Sequence, residues 1–369
     1  MLLMKRMRLR ELGVRIGELE TGRWNAITDV TGVKVGHKTL VKGEGKLVPG
    51  KGPVRTGVTA VFPHPDNIFE NKVPAAVHIV NGFGKSMGLP QIEELGTIET
   101  PILLTNTLNI GIAADALIEY MLLGNPDIGI KTGTVNPIIG ECNDGYLNDI
   151  RGRHVRTEDV FQALETADSG EVEEGAVGAG TGMSAFEYKG GIGTSSREFA
   201  VSKEKFTVGA LVLSNFGTQK ELRIDGIPVG NELSCRQEQR QGDGSIMVVI
   251  ATDAPLNDRQ LLRIAKRAGI GIARTGSIAS HGSGDFIIAF STVNQEKTSS
   301  NEPIRETKTL KEDGAVLEIF FQAAVDATEE AIINSVMKAE SVEGRDGNVR
   351  EGIPLEEVKE ILKKHGRDG

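Results

Sequence analysis

Gly242-Asp243-Gly244-Ser245 stands immediately before an apolar, largely β-branched run, Ile246-Met247-Val248-Val249-Ile250. That run has the composition of a strand buried on both faces. The two glycines flanking an aspartate are loop chemistry, so a serine is held at the mouth of a buried strand. Such a junction suits a chain that cuts itself. The Ser245 hydroxyl can attack the Gly244 carbonyl, and glycine has no Cβ to obstruct the approach or forbid an unusual backbone angle. Hydrolysis of the resulting ester leaves Ser245 as a new N-terminus carrying a nucleophile and its own base. A free α-amine titrates at about 7.7–8.0, near the pH where a general base works best, so no histidine is required. Gly-Ser before an apolar run is also an ordinary strand start, and these residues alone leave both readings open.

Other residues able to do chemistry stand at strand ends and in loops. Asn215 follows the apolar segment Thr207–Ser214; taken alone, a strand-end asparagine is a turn former. In His281-Gly282-Ser283-Gly284-Asp285, the serine and the aspartate are two residues apart and face the same way on extended backbone. A solvated aspartate at a strand start is the alternative. Glu141, Asp144 and Tyr146 crowd into GECNDGYLND, where either carboxylate reads equally as a solvated loop residue. None of His37, His64, His78, His154, His281 and His365 has metal-ligand spacing. A Ser-His-Asp triad on His281 would be built from neighbours along one strand, whereas triads are assembled from separate elements. Gly178, Gly180 and Gly182 run G-x-G-x-G, matching neither a dinucleotide fingerprint nor a Walker A loop. Close strand packing is the expected reason for them. No metal, nucleotide or flavin is implied.

The string GDGSIMVVIATDAPL closely resembles the processing site of the family that includes the DmpA-type L-aminopeptidase/D-amidase/esterases and the β-peptidyl aminopeptidases. That family is similar in fold and self-processing to the N-terminal nucleophile hydrolases, and the resemblance runs from about Ile27 to about Gly352. It implies an α/β protein with two stacked sheets covered by helices, α-β-β-α, forming a single domain over residues 1–369. Cleavage at Gly244-Ser245 would give segments 1–244 and 245–369. The activity implied is release of small N-terminal residues from peptides, amides or esters, without a cofactor.

The resemblance also assigns roles. Asn215 matches the asparagine of a Ser-Asn-(Phe/Tyr)-Gly motif that holds the oxyanion. Ser283 and Asp285 resemble a Ser-Gly-acid pair that binds the freed amine of Ser245 and relays its proton. Some relatives carry a glutamate there, and Asp285 reaches less far. Tyr146 lies in a segment like the family's tyrosine-bearing loop, where a phenol can donate to the oxyanion or the leaving group. Glu141 is the candidate for gripping the substrate's ammonium, with Asp144 its nearest rival. Relatives assemble as homo-oligomers, commonly tetramers of the processed unit, and the same is expected here. Two other classes compete. A non-catalytic small-molecule binding protein would stay uncut and inactive on aminoacyl anilides; a nucleotide-dependent dehydrogenase or kinase would be stabilised by nucleotide.

These residues need elements to position them. Strands are expected within Ile27–Leu40 and at Val54–Phe62, Pro74–Val80, Pro101–Asn106, Thr207–Ser214, Phe286–Phe290 and Val316–Phe321. Helices are expected at Ile110–Gly124 with a glycine stop, Thr157–Ala167 with Thr157 as N-cap, Leu256–Arg274 and Thr328–Lys338. Asn257 with Gln260 makes a capping box, and Pro354 and Gly366 bracket a final helix. Residues 132–152, dense in Gly, Asn and Asp, read as a functional loop, and Thr298–Asp313 as an exposed excursion.

Bulk properties set the outer limits. Hydrophobic residues at 39% supply a sizeable core, and 46 glycines without a G-X-Y period exclude collagen. A net charge of −9 argues against nucleic acid as the main partner. Cys142 and Cys235 allow one bridge at most, which favours a reducing compartment. MLLMKRMRLR lacks the apolar core of a signal peptide, and no stretch approaches 18 uninterrupted apolar residues. A cytoplasmic protein without a membrane span is the expectation.

Overall fold

Runs of β-branched residues become strands, and two sheets form from them. The computed structural model describes residues 5–234, 244–298 and 303–367. Its main strands are β1 (Lys34–Lys42), β2 (Val54–Phe62), β3 (Asn71–Gly82), β4 (Ile102–Asn106), β5 (Ile138–Cys142), β6 (Gly191–Val201), β7 (Glu204–Asn215), β8 (Ser245–Thr252) and β9 (Gly284–Ser291). The main helices are α1 (Ile110–Gly124), α2 (Thr157–Glu165), α3 (Asp258–Arg274), α4 (Gly314–Met337) and α5 (Leu355–Lys364). The smaller sheet runs β1-β2-β4-β5, and the larger runs β3-β9-β8-β7-β6 with two-residue strands at 97–98 and 296–297 beside β3.

β8 shows how the layers stack. Its Met247, Val249 and Ala251 pack between the sheets with Leu104, Ile138 and Ile139. Ile246, Val248 and Ile250 point the other way, into a second core shared with Ile264 and Ala268 of α3 and Ala327 and Ala331 of α4. Both faces are buried, which explains a continuous apolar run in place of alternation. Helices α1 and α2 cover the smaller sheet, α3 and α4 the larger, and β5 meets β7 and β8 between them. The architecture is the α-β-β-α sandwich. Residues 107–124 are long and apolar enough for a membrane span by length and composition alone, with mean hydropathy 1.3; in this fold their helix packs on the smaller sheet, burying Ala113, Ala114 and Leu117.

Several expectations need correction. Val316–Phe321 is not a strand: with Thr328–Met337 it belongs to one 24-residue helix, α4, whose Asp313 cap accepts the Ala315 N–H. Five apolar residues around Glu318 cannot fix a period, and a helix buried nearly all round over its C-terminal half shows no amphipathic stripe. Residues 27–29 form a 3₁₀ turn before β1. The N-cap of α2 is Arg156, not Thr157, and the Asp159 carboxylate accepts the Arg156 N–H at 2.9 Å. Gly124 stays helical; Asn125 ends α1 and its Nδ2 donates to the Met121 carbonyl at 2.9 Å. The span 132–152 is not all loop, because β5 occupies its middle. The Asn257–Gln260 box is formed in both directions, at 2.9 and 3.1 Å. A Cβ on Gly182 would meet the Arg55 carbonyl oxygen at 2.2 Å, which accounts for that glycine by close packing. Cys235, Gly242, Asp243 and residues 299–302 of the excursion lie outside the described residues.

Candidate active site

Sheet register builds the centre of the site. β7 runs antiparallel to β8 with Asn215 opposite Ser245, and β9 runs parallel to β8 with Gly284 opposite Ser245. Asn215, Ser245 and Gly284 thus form one row across three strand ends. The Gly284 N–H donates to the Ser245 Oγ and to the Gly244 carbonyl oxygen, each at 3.3 Å. Glycine at 244 has a concrete cause: a Cβ there would meet the Phe216 Cα at 2.7 Å. Ser245, 8% exposed, opens onto a cavity of about 550 Å³.

Asn215 is a clamped group, not a turn former. Its Oδ1 accepts the Ser184 N–H at 2.9 Å, and its Nδ2 donates to the Asn143 carbonyl at 3.1 Å. One N–H of that amide remains for an acceptor in the cavity, which Asn215 lines. Ser283 donates to Asp285 Oδ1 at 2.6 Å, as their two-residue spacing suggests. Burial pushes the Asp285 carboxyl up, while the Ser283 hydroxyl and the Ile246 backbone N–H pull it back. Neither residue lines the cavity; Asp285 stands opposite Ile246, one position along from the row.

Glu141, at the end of β5, and Tyr146 both line the cavity. Glu141 is buried; its Oε1 accepts the Lys85 N–H at 2.9 Å and its Oε2 accepts the Thr107 hydroxyl. Asp144 does not line the cavity. It is fully buried, accepts from Asn148 Nδ2 at 3.0 Å, and burial pushes its carboxyl up to about 7. Of the two candidate carboxylates only Glu141 faces the space a substrate would fill. The Arg350 guanidinium lies 3.9 Å over the Tyr146 ring. His281 is exposed and tilts against Phe83, with ring centroids 6.1 Å apart.

The comparison with known proteins bears on this arrangement directly. Residues 25–350 match the sequence profile of peptidase family S58. The chain belongs to peptidase family S58. A beta-peptidyl aminopeptidase, BapA, from Sphingosinicella microcystinivorans is 42% identical over 98% of this chain and 93% of its own. The PH0078 protein from Pyrococcus horikoshii OT3 superposes with a TM-score of 0.93 at 56% identity, over 98% of this chain and 100% of that one. The L-aminopeptidase D-Ala-esterase/amidase from Ochrobactrum anthropi, described as a prototype for the serine aminopeptidases and a variant of the Ntn hydrolase fold, gives 0.91 at 38%, over 98% and 99%. This S58 chain is therefore a serine aminopeptidase with an Ntn-hydrolase-like fold.

Several S58 site residues escaped the sequence reading. Ser184 and Asn143 aim Asn215, Lys85 and Thr107 hold Glu141, and Arg345 lines the cavity from a distant turn. Ser184 and Asn143 act through backbone atoms, which leave no residue-type signature. Lys85 likewise acts through its backbone N–H, and Thr107 and Arg345 stand in no motif.

Proposed function

We propose that this S58 chain cuts itself between Gly244 and Ser245 and then uses the freed serine to release small N-terminal residues from peptides, amides or esters. The observation that carries this is the row Asn215–Ser245–Gly284 at the wall of the cavity. In maturation the Ser245 Oγ bonds to the Gly244 carbonyl carbon and the C–N bond breaks, giving an ester and a free α-amine. Water then cleaves the ester, leaving a Gly244 carboxylate and restoring the hydroxyl. In turnover the α-amine takes the Oγ proton as Oγ attacks the substrate carbonyl, and returns a proton to the leaving amine. Water releases the acyl residue by the reverse path.

Asn215 donates its spare N–H to the oxyanion, with Tyr146 on the same cavity wall as a second donor to the oxyanion or the leaving group. Glu141 holds the substrate ammonium. Ser283 and Asp285 hold the amine of Ser245 once the bond is cut; their hydrogen bond and the Ile246 N–H beside Asp285 support that placing. The working form is read as a cytoplasmic homotetramer of processed units. Denaturing gels with N-terminal sequencing test the reading: segments of 244 and 125 residues are expected, the second beginning Ser-Ile-Met-Val. An active preparation showing only the initiator end would overturn it. Aminoacyl p-nitroanilides of L-, D- and β-amino acids then define the residue released.

Asn215→Ala should lower kcat by about 10²–10³ with KM little changed, the loss typical of one oxyanion donor. Rates are normalised to the cut fraction on the gel. A loss under tenfold would take Asn215 out of that role.

A further inference from the structure

Arg345 lines the same cavity as Ser245, Asn215 and Glu141. Its turn is fastened to the Tyr146 loop: the Arg345 N–H donates to the Leu147 carbonyl at 2.9 Å, and Asn348 Nδ2 donates to the Tyr146 carbonyl at 2.8 Å. A Cβ on Gly344 would meet the Leu147 carbonyl oxygen at 2.2 Å, so the two segments touch backbone to backbone. The guanidinium itself is largely unspent. Among the described residues the one carboxylate within 4 Å is Asp346, at 3.8 Å from Nη1, too far for a hydrogen bond. Asp346 Oδ1 already accepts the Leu47 N–H at 2.8 Å. The Arg345 Nε is buried with no hydrogen-bond partner among the described residues. Lys85, the second cation on this wall, is engaged by the Phe83 carbonyl at 3.1 Å and by the Phe83 ring.

We propose that Arg345 binds the C-terminal carboxylate of a short substrate, so that dipeptides with a free C-terminus are preferred to their amides and to longer peptides. This rests on the proposed function and narrows its substrate class. With the ammonium at Glu141 and the scissile carbonyl at Ser245 and Asn215, the remainder of a substrate lies along the wall formed by Tyr146, Ile150 and Arg345. A dipeptide is a zwitterion, and a cavity of about 550 Å³ with a carboxylate and a free guanidinium on its walls complements both charges. The planar donor fork of arginine suits a carboxylate, which it can engage with two parallel bonds.

The test compares kcat/KM for X-Ala, X-Ala-NH₂ and X-Ala-Ala, X being the residue that the wild type releases fastest from p-nitroanilides. The acid is expected to exceed the amide by about tenfold or more, the worth of a hydrogen bond to a charged group, and to exceed the tripeptide. Arg345→Met should bring the acid/amide ratio to within about threefold of one, mainly through KM for the acid, and Arg345→Lys should restore part of it. A wild-type ratio near one overturns the proposal while p-nitroanilide turnover leaves the proposed function standing. A ratio unchanged in Arg345→Met also overturns it. A wild type that is uncut and inactive on every p-nitroanilide removes the proposed function, and this inference with it.

Discussion

Ser245→Ala is expected to run as a single uncut chain and to lose aminopeptidase turnover by at least about 10⁴-fold, the scale on which hydrolases lose rate when the nucleophile goes. The substitution removes one oxygen, and that oxygen serves two reactions. Without it the Gly244 acyl group cannot move from the Ser245 nitrogen to an ester oxygen, so the α-amine that would act as base is never released. The fold should barely notice. In the intact chain the hydroxyl accepts one long hydrogen bond, 3.3 Å from the Gly284 N–H, worth about 1 kcal/mol or less, and the backbone pairing and apolar packing that hold β8 do not involve it. Ser245→Cys supplies the contrast, since a thiol is also a nucleophile: it should still cut, and its cut form should retain measurable turnover. Intact mass, a denaturing gel and p-nitroanilide hydrolysis on both variants are the measurements. A cut alanine variant, or one within a hundredfold of wild type, would mean that some other group attacks the bond.

The strands that carry the site were legible because they are short, apolar and bounded by turn residues; β2 and β4 lie within a residue of their expected bounds. That Ser245 opens a strand buried on both faces was legible from its neighbours. What local sequence does not contain is register. Asn215 becomes a candidate oxyanion donor only when β7 pairs with β8 so that it stands opposite Ser245; alone, it reads as a turn former. The carboxylates show the same limit. Glu141 and Asp144 are three residues apart in one segment, yet Glu141 ends β5 and meets the cavity whereas Asp144 turns into a fully buried cluster with Asn148. Arg345, 100 residues past Ser245 in sequence, reaches the site through backbone contacts with Leu147 that have no pattern to detect. The misreading at Val316–Phe321 has a different source: Phe320 there packs against Phe199 of β6 and Phe206 of β7, with ring centroids 4.8 and 5.6 Å apart, and this apolar start of the helix resembles a strand until the following turns are counted.

Lys189→Met, made in the uncut Ser245→Ala background so that one chain melts, is expected to cost about 3–5 kcal/mol, the loss typical when one partner of a buried charge pair is removed. Lys189 is wholly buried, and its Nζ donates to the carbonyls of Gly180, Met183 and Gly190 at 2.8, 2.8 and 2.6 Å. Burial pulls its pKa down to about 7 and Asp144 pulls it back; three acceptors at these distances take three N–H bonds and so favour the ammonium. Replacing a buried ion pair by apolar groups can be neutral when both partners go. Here the partners are mostly backbone carbonyls, which cannot be removed and would be left unsatisfied. The consequence reaches the site, because Lys189 pairs across a short hairpin with Ser184, whose N–H fixes Asn215. In a Ser245 background the same substitution should therefore slow maturation as well as lower stability, and adding Asp144→Asn should recover part of the loss by removing the stranded carboxylate. Denaturant unfolding and the time course of the cut measure the two effects separately. A midpoint within about 0.5 kcal/mol of the parent, with cutting at the normal rate, would show that water or a rearranged loop satisfies those carbonyls without the lysine.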